Sequence, residues 1–227
     1  MTDSGPSLLS LRLWVKRERQ CLSILERALV LLRNSEGHSE PEIELNRRLY
    51  FCLLTASREL FPESDLAPVQ ECNNQPDPDD EARAKREHKR PDFQWVFLDR
   101  YELDPERSSK QFVVECKRLG NPPGPKWILN LNYANHGIKR FKDPKHAYAK
   151  RFASAAMVGY WQSMEAAEVL EEINEESHKS DLPDLLLTSS WKSGGVTHLE
   201  HTFERPFDIS PFRLRHLWID LRTPDEE

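Results

Sequence analysis

The chain of 227 residues is 38% apolar and 31% charged, with a formal net charge of −6. That length supports one well-buried α/β core and is short for two full enzyme domains, so a single domain over residues 1–227 is expected. No apolar run approaches the ~20 residues of a membrane span and the N-terminus carries no signal-peptide pattern, which sets a membrane protein aside and makes the cytoplasm the expected compartment.

Residues 7–33 repeat apolar side chains at helical spacing, through Leu9, Leu13, Cys21, Ile24 or Leu25, Ala28, Leu29 and Leu32. Residues 1–38 are therefore expected to form a helical N-terminal extension. Packing on the chain's own core and pairing of two copies both account for its stripe. A second helix is predicted from about residue 41 to about residue 60, because Pro41 suits a first turn, Glu42 favours the positive helix end and Pro62 follows. Its apolar stripe is Leu45, Leu49, Leu53, Ala56 and Leu60. At about 100° per residue, Glu42 falls in line with that stripe and Glu44 lies toward the polar side.

Residues 73–90 contain no large apolar residue and are expected to be a mobile loop, with Lys89 and Arg90 in its basic second half. Two strands follow, over 92–98 and 111–117, separated by a charged turn containing Pro105 and able to pair as a hairpin. Side chains alternate along a strand, so Glu115 and Lys117 share one face while Phe112, Val114 and Cys116 face the other. Pro91-Asp92 heads the first strand. The Gly- and Pro-rich stretch 120–125 ends the second. Residues 148–177 are predicted to be helical, with Ala153, Ala155, Ala156 and Gly159 as a small-residue face. Further strands are predicted over 185–188, 196–203 and 212–221. This order predicts an α/β sandwich built on a mixed sheet.

Chemistry concentrates in a few places. A Glu-x-Lys on one strand face, with a second carboxylate from a neighbouring strand, supplies oxygen ligands for a hard divalent cation and an ammonium near an attacking water. Residues 139–151 carry six Lys or Arg against one Asp, and 165–176 hold six Glu and no base, so a polyanion would be drawn to the first segment. Arg140, Lys139, Lys150 and Arg151 are candidate phosphate contacts, weighed against a solvated helix flank. Lys89 and Arg90 directly precede Asp92, although a solvated loop is the commoner fate of such a run. Tyr133, Trp161 and Trp191 are candidates for stacking on bases, with core packing as the commoner alternative. His198 and His201 point to opposite faces of a strand, and Cys21, Cys52, Cys72 and Cys116 are scattered, so no zinc site is expected.

Pro91-Asp92, Glu115-Cys116-Lys117 after an apolar strand, a preceding helix carrying Glu42 and a following basic region together resemble the PD-(D/E)XK, or restriction-endonuclease-like, nucleases. The resemblance covers roughly residues 41–165. It implies an α-β-β-β-α-β core with a mixed central sheet, to which this chain adds an N-terminal helix and C-terminal strands. It further implies Mg²⁺ or Mn²⁺ held by Asp92 and Glu115, with Lys117 as the catalytic lysine and Glu42 completing the site, or Glu44 in its place. The expected partner is nucleic acid, DNA in the first instance, cut by a metal-dependent nuclease working within a bacterial defence or repair assembly. A homodimer or larger protein complex is compatible with this. The alternative is a catalytically silent module of the same fold that binds nucleic acid or a partner protein. The family's first core strand has to come from the stretch around residues 66–72, which Pro68 interrupts.

Overall fold

The computed structural model of the protein describes residues 8–74, 83–125, 127–207 and 209–222. Two helices come first, α1 (Leu8–Arg33) and α2 (Glu42–Leu60). After them lie β1 (Val69–Gln70), a short α3 (Arg83–Glu87), β2 (Phe93–Leu98) and β3 (Ser109–Leu119). Of the loop expected over 73–90, residues 75–82 lie outside the described residues, and α3 is a helix where only loop was expected. Beyond β3 the chain forms a broken helical segment, α4 (Leu129–Tyr133), a π-helical turn (Ala134–Ile138) and α5 (Lys139–Lys142). The C-terminal third holds β4 (Ser154–Trp161), α6 (Ala166–His178), β5 (Leu186–Leu187), β6 (Val196–Phe203) and β7 (Phe212–Asp220).

The strands form one seven-stranded mixed sheet in the order β1-β2-β3-β4-β7-β6-β5. β2 and β3 pair antiparallel as the expected hairpin, Phe93 opposite Val114, whereas β4 runs parallel to both β3 and β7. Helices cover both faces. Phe112, Val114 and Cys116 of β3 pack with α1 and α2, while Val113 and Leu119 pack with α4, α5 and α6. The stripe of α1 from Cys21 to Leu32 is fully buried against this core, whereas Leu9, expected in that stripe, is exposed together with Leu8, Leu11 and Val15. Leu60 of the α2 stripe is also exposed. No helix among the described residues is long and apolar enough to cross a membrane.

The largest departure from expectation lies at the centre of the sheet. Residues 148–177 are not one helix but the central strand β4 followed by α6. All eight residues of β4 are buried, because a parallel strand with helices on both faces has no polar side to show. Its uninterrupted small and apolar run therefore carries no period-2 signal. Gly159 does not bend a helix; it clears space on the sheet, since a Cβ there would stand 2.5 Å from Leu119 Cδ1 and 2.6 Å from Trp218 Cδ1. The helix starts where Glu165 and Glu168 form a capping box.

Two histidines are sealed in the layer under α4 and α6. Tyr133 Oη lies 2.8 Å from His216 Nδ1 and accepts a hydrogen bond from Trp218 Nε1, and His201 Nε2 lies 2.5 Å from the Pro183 carbonyl. Burial pushes His201 down to about 4 and His216 well below its ordinary range. A histidine free to protonate near 6.5 when unfolded but not when folded withdraws stability as pH falls from about 6.5 toward 4. Between pH 7 and 5 the wild type should therefore lose about 2 kcal/mol more than His201→Gln. Urea midpoints of the two proteins at both pH values check this, and parallel losses contradict it.

Candidate active site

The register between β2 and β3 opens the site. Pro91 has no N–H to give to a ladder, pairing begins at Phe93 opposite Val114, and the half of β3 beyond Glu115 is left without a strand on that edge. Asp92, directly before β2, fills part of the gap with its side chain: the Cys116 backbone N–H donates to Asp92 Oδ2 at 2.6 Å. Glu115 and Lys117 stand on one face of β3 as alternation requires, and α2 brings its first residue, Glu42, to the same opening.

Around Lys117 the acids converge. Its Nζ lies 2.7 Å from Glu42 Oε1, 3.1 Å from Glu115 Oε1 and 3.9 Å from Asp92 Oδ2, and it also donates to the Cys116 carbonyl at 2.7 Å. Arg140 of α5 donates to Glu115 Oε1. Glu115 is 0% exposed and Lys117 8%, so an exposed edge-strand pair is excluded. Asn46, one helical turn beyond Glu42, donates to Asp92 Oδ1 at 3.0 Å and accepts from Tyr160 Oη at 2.8 Å, which fixes the Asp92 carboxylate from its other side.

Burial and then the charge of Asp92 push the Glu115 carboxyl up to about 8, against the pull of Lys117 and Arg140. Asp92 is raised as well, first by burial, with Lys117 and the Cys116 N–H opposing. Burial disfavours the Lys117 ammonium, but Glu115, Asp92 and Glu42 together raise its pKa and keep it charged. The Cys116 thiol, on the opposite face, is pushed up by burial and stays protonated. A buried ion cluster of this kind is expensive compared with apolar packing, and perturbed ionisable groups of this sort cluster at functional sites.

Among the described residues no three His, Cys, Asp or Glu side chains are grouped as a metal cage; the acids gather around an ammonium instead. The donor set nevertheless fits a hard cation. Its open groups are carboxylate oxygens, and Glu115 Oε2 is buried with no hydrogen-bond partner, an acceptor left over by the protein.

The other expected residues divide. Glu44 does not join the cluster; it lies 3.6 Å from Arg47 on the outer side of α2. Arg140 is not a free phosphate contact but part of the acid cluster, with its guanidinium 6.0 Å from the Tyr148 ring centre. Lys139 is exposed on the same turn. Lys89 and Arg90 flank Asp92, where the Lys89 carbonyl accepts from Asn74 N–H and Arg90 Nε donates to Asn73. Asn74 Nδ2 in turn donates to the His146 carbonyl at 2.9 Å, tying this stretch to the segment after α5. Arg151 lines a different cleft, with Lys110, Asp99 and Trp14. Lys110 precedes Lys117 by seven residues on β3, about 23 Å along an extended strand, so Arg151 serves another surface. Lys150 stands beside it, its carbonyl taken by Arg205.

Two of the aromatic candidates are core and the third packs against it. Tyr133 is 0% and Trp161 2% exposed, and Trp191 packs 5.9 Å from Trp218. His198 pairs with Glu26 of α1 while His201 is buried on the opposite face, as strand alternation requires. Three site residues escaped sequence reasoning. Asn46 carried a signal, a polar residue in an apolar stripe four positions after Glu42. Tyr148 is buried against Phe141 between Ala147 and Ala149, both left-handed at φ 52° and 50°, a local strain no composition reveals. Trp127 lines the opening described below. Compared with known proteins, the chain matches no family model, no curated protein and no solved structure.

Proposed function

We propose that the protein is a divalent-metal-dependent nuclease that hydrolyses phosphodiester bonds, with DNA as the first substrate to test. One observation carries this reading: Asp92, Glu115 and Glu42, distant along the chain, meet around the buried ammonium of Lys117. The order α2-β1-β2-β3, helix, β4, with β4 parallel to β3, supports the restriction-endonuclease-like core, β1 being the short strand the Pro68 stretch allows. In that core the helical partner is the broken segment α4–α5, which delivers Arg140, and not the region after residue 148.

Asp92 and Glu115 would hold the ion, with Glu42 at its side. The chemistry such an ion would supply there is Lewis acidity, for a phosphoryl oxygen and for an attacking water. The remaining work falls to the chain. Lys117 keeps its proton and stands ready to stabilise negative charge developing on the phosphoryl group. Asn46 and the Cys116 N–H hold Asp92 in place, and Arg140 holds Glu115.

A catalytically silent module of the same fold is the second reading, favoured by the fact that Lys117 already lies within 4 Å of an oxygen of each of the three acids. Titration with Mn²⁺ separates the two. The nuclease reading expects one saturable site in the wild type that weakens at least about tenfold in Glu115→Gln, because the amide keeps the shape and removes the charge. The variant should remain folded, since the amide has the same shape and its oxygen still accepts from Lys117 and Arg140. Equal Mn²⁺ binding by both proteins, or none by either, supports the silent module.

A further inference from the structure

The chain has six tryptophans, and only Trp127 is more than half exposed, at 58%. It follows the Gly- and Pro-rich break after β3, where its N–H donates to the Gly124 carbonyl at 3.1 Å and closes a tight turn. The indole is not on an open surface. It lines a cleft of about 300 Å³ together with Glu42, Lys117, Arg118, His136 and Arg140, so an exposed indole, cations and one acid of the cluster, Glu42, share one opening.

An indole left uncovered beside a phosphate-seeking site has a natural occupant. Every nucleobase offers a π-face, and stacking on an aromatic side chain tolerates any sequence. Arg118, in the same cleft, would meet a neighbouring phosphate, a contact that positions a strand without reading it. The cleft is at the lower end of the sizes that hold small ligands, room for one base and not for a duplex. Bases inside a duplex already stack on their neighbours and present only edges to the grooves.

We propose that Trp127 is the stacking platform for one unpaired nucleobase, so that the site acts on nucleic acid that is single-stranded or frayed at the bond to be cut. This rests on reading the site as a phosphodiesterase. Because Trp127 is the exposed indole, its fluorescence reports on the contact.

The full-length protein would be titrated, in Mg²⁺, with single-stranded oligothymidylate, with the same strand carrying abasic positions and with a blunt duplex, all joined by slowly cleaved phosphorothioates. The single strand should quench the emission and the duplex should not. Trp127→Phe should lose the quench, and Trp127→Ala should bind the single strand about tenfold to a hundredfold more weakly. The abasic strand should bind wild type no better than the base-containing strand binds Trp127→Ala. Unchanged affinity in Trp127→Ala, or equal quenching by duplex and abasic strand, overturns the proposal. Cleavage with ordinary linkages keeps the two failures apart. Base-dependent quenching without hydrolysis leaves the platform standing and removes the nuclease; hydrolysis that is blind to Trp127→Ala does the reverse.

Discussion

Replacing Lys117 with methionine is expected to lower Mg²⁺-dependent phosphodiester cleavage by about a thousandfold or more while the protein remains folded. The aliphatic stem of Lys117 is buried under the π-helical turn, and methionine keeps that volume while removing the charge. A Cβ on Gly137 would stand 3.5 Å from Lys117 Cγ, which shows how closely the turn packs on the stem. The lysine has no role as a ligand in this account. It donates to Glu42 at 2.7 Å and competes with any cation for the same oxygens. Lys117→Met should therefore bind Mn²⁺ at least as tightly as wild type while failing to cleave. Single-turnover rates and a Mn²⁺ titration on one preparation read both quantities. A variant that loses metal and activity together would mean that Lys117 holds the site's shape and does nothing to the reacting phosphate.

The largest loss of stability is expected at Arg205. This side chain is 6% exposed, and its guanidinium donates to the carbonyls of Tyr148, Ala149, Lys150 and Phe152 at 3.2, 2.7, 3.3 and 2.5 Å, while Nε donates to Ile209 at 3.1 Å. It also lies 3.8 Å from the centre of the Phe212 ring. One planar fork thus pins the turn between α5 and β4, where no regular ladder is available and two alanines are left-handed. Arg205→Ala leaves several buried carbonyls without donors, each costing about 1–3 kcal/mol, and a total of at least about 4 kcal/mol is expected. For a chain of this size that is a fall of about 10 °C in Tm, which a thermal melt reads directly. Lysine should not rescue it, because a point charge cannot serve that many acceptors in one plane. A fall of less than about 2 °C would show that the turn is held by its aromatic packing instead. The same turn places Tyr148 beside Arg140, so surviving activity should also drop.

The parts of this fold that were legible are those where one face is wet or one period is clean. The alternation of Phe112, Val114 and Cys116 against Glu115 and Lys117 survives unchanged in β3, and helical phase alone sets Glu42 in line with Leu45 and Leu49 on the inner side of α2. The hairpin and strands β6 and β7 were visible for the same reason. β4 was not, since complete burial erases the contrast that a period needs. Arg205 and Trp127 sit in loops whose conformation depends on contacts distant in sequence, and a loop arginine or tryptophan looks alike whether it is knotted into carbonyls, set in a cleft or free in solvent. The basic run 139–151 shows the limit of charge counting: Arg140 turns inward to an acid, Lys139 outward, and Arg151 to the other end of β3.

The measurement that bears most directly on the central claim is hydrolysis of single-stranded and duplex DNA by the purified wild-type protein, with Mg²⁺ and then with excess EDTA. Cleavage that requires the divalent ion and stops on chelation is the predicted result. Intact DNA at every Mg²⁺ or Mn²⁺ concentration, or cutting that continues undiminished in EDTA, would contradict it.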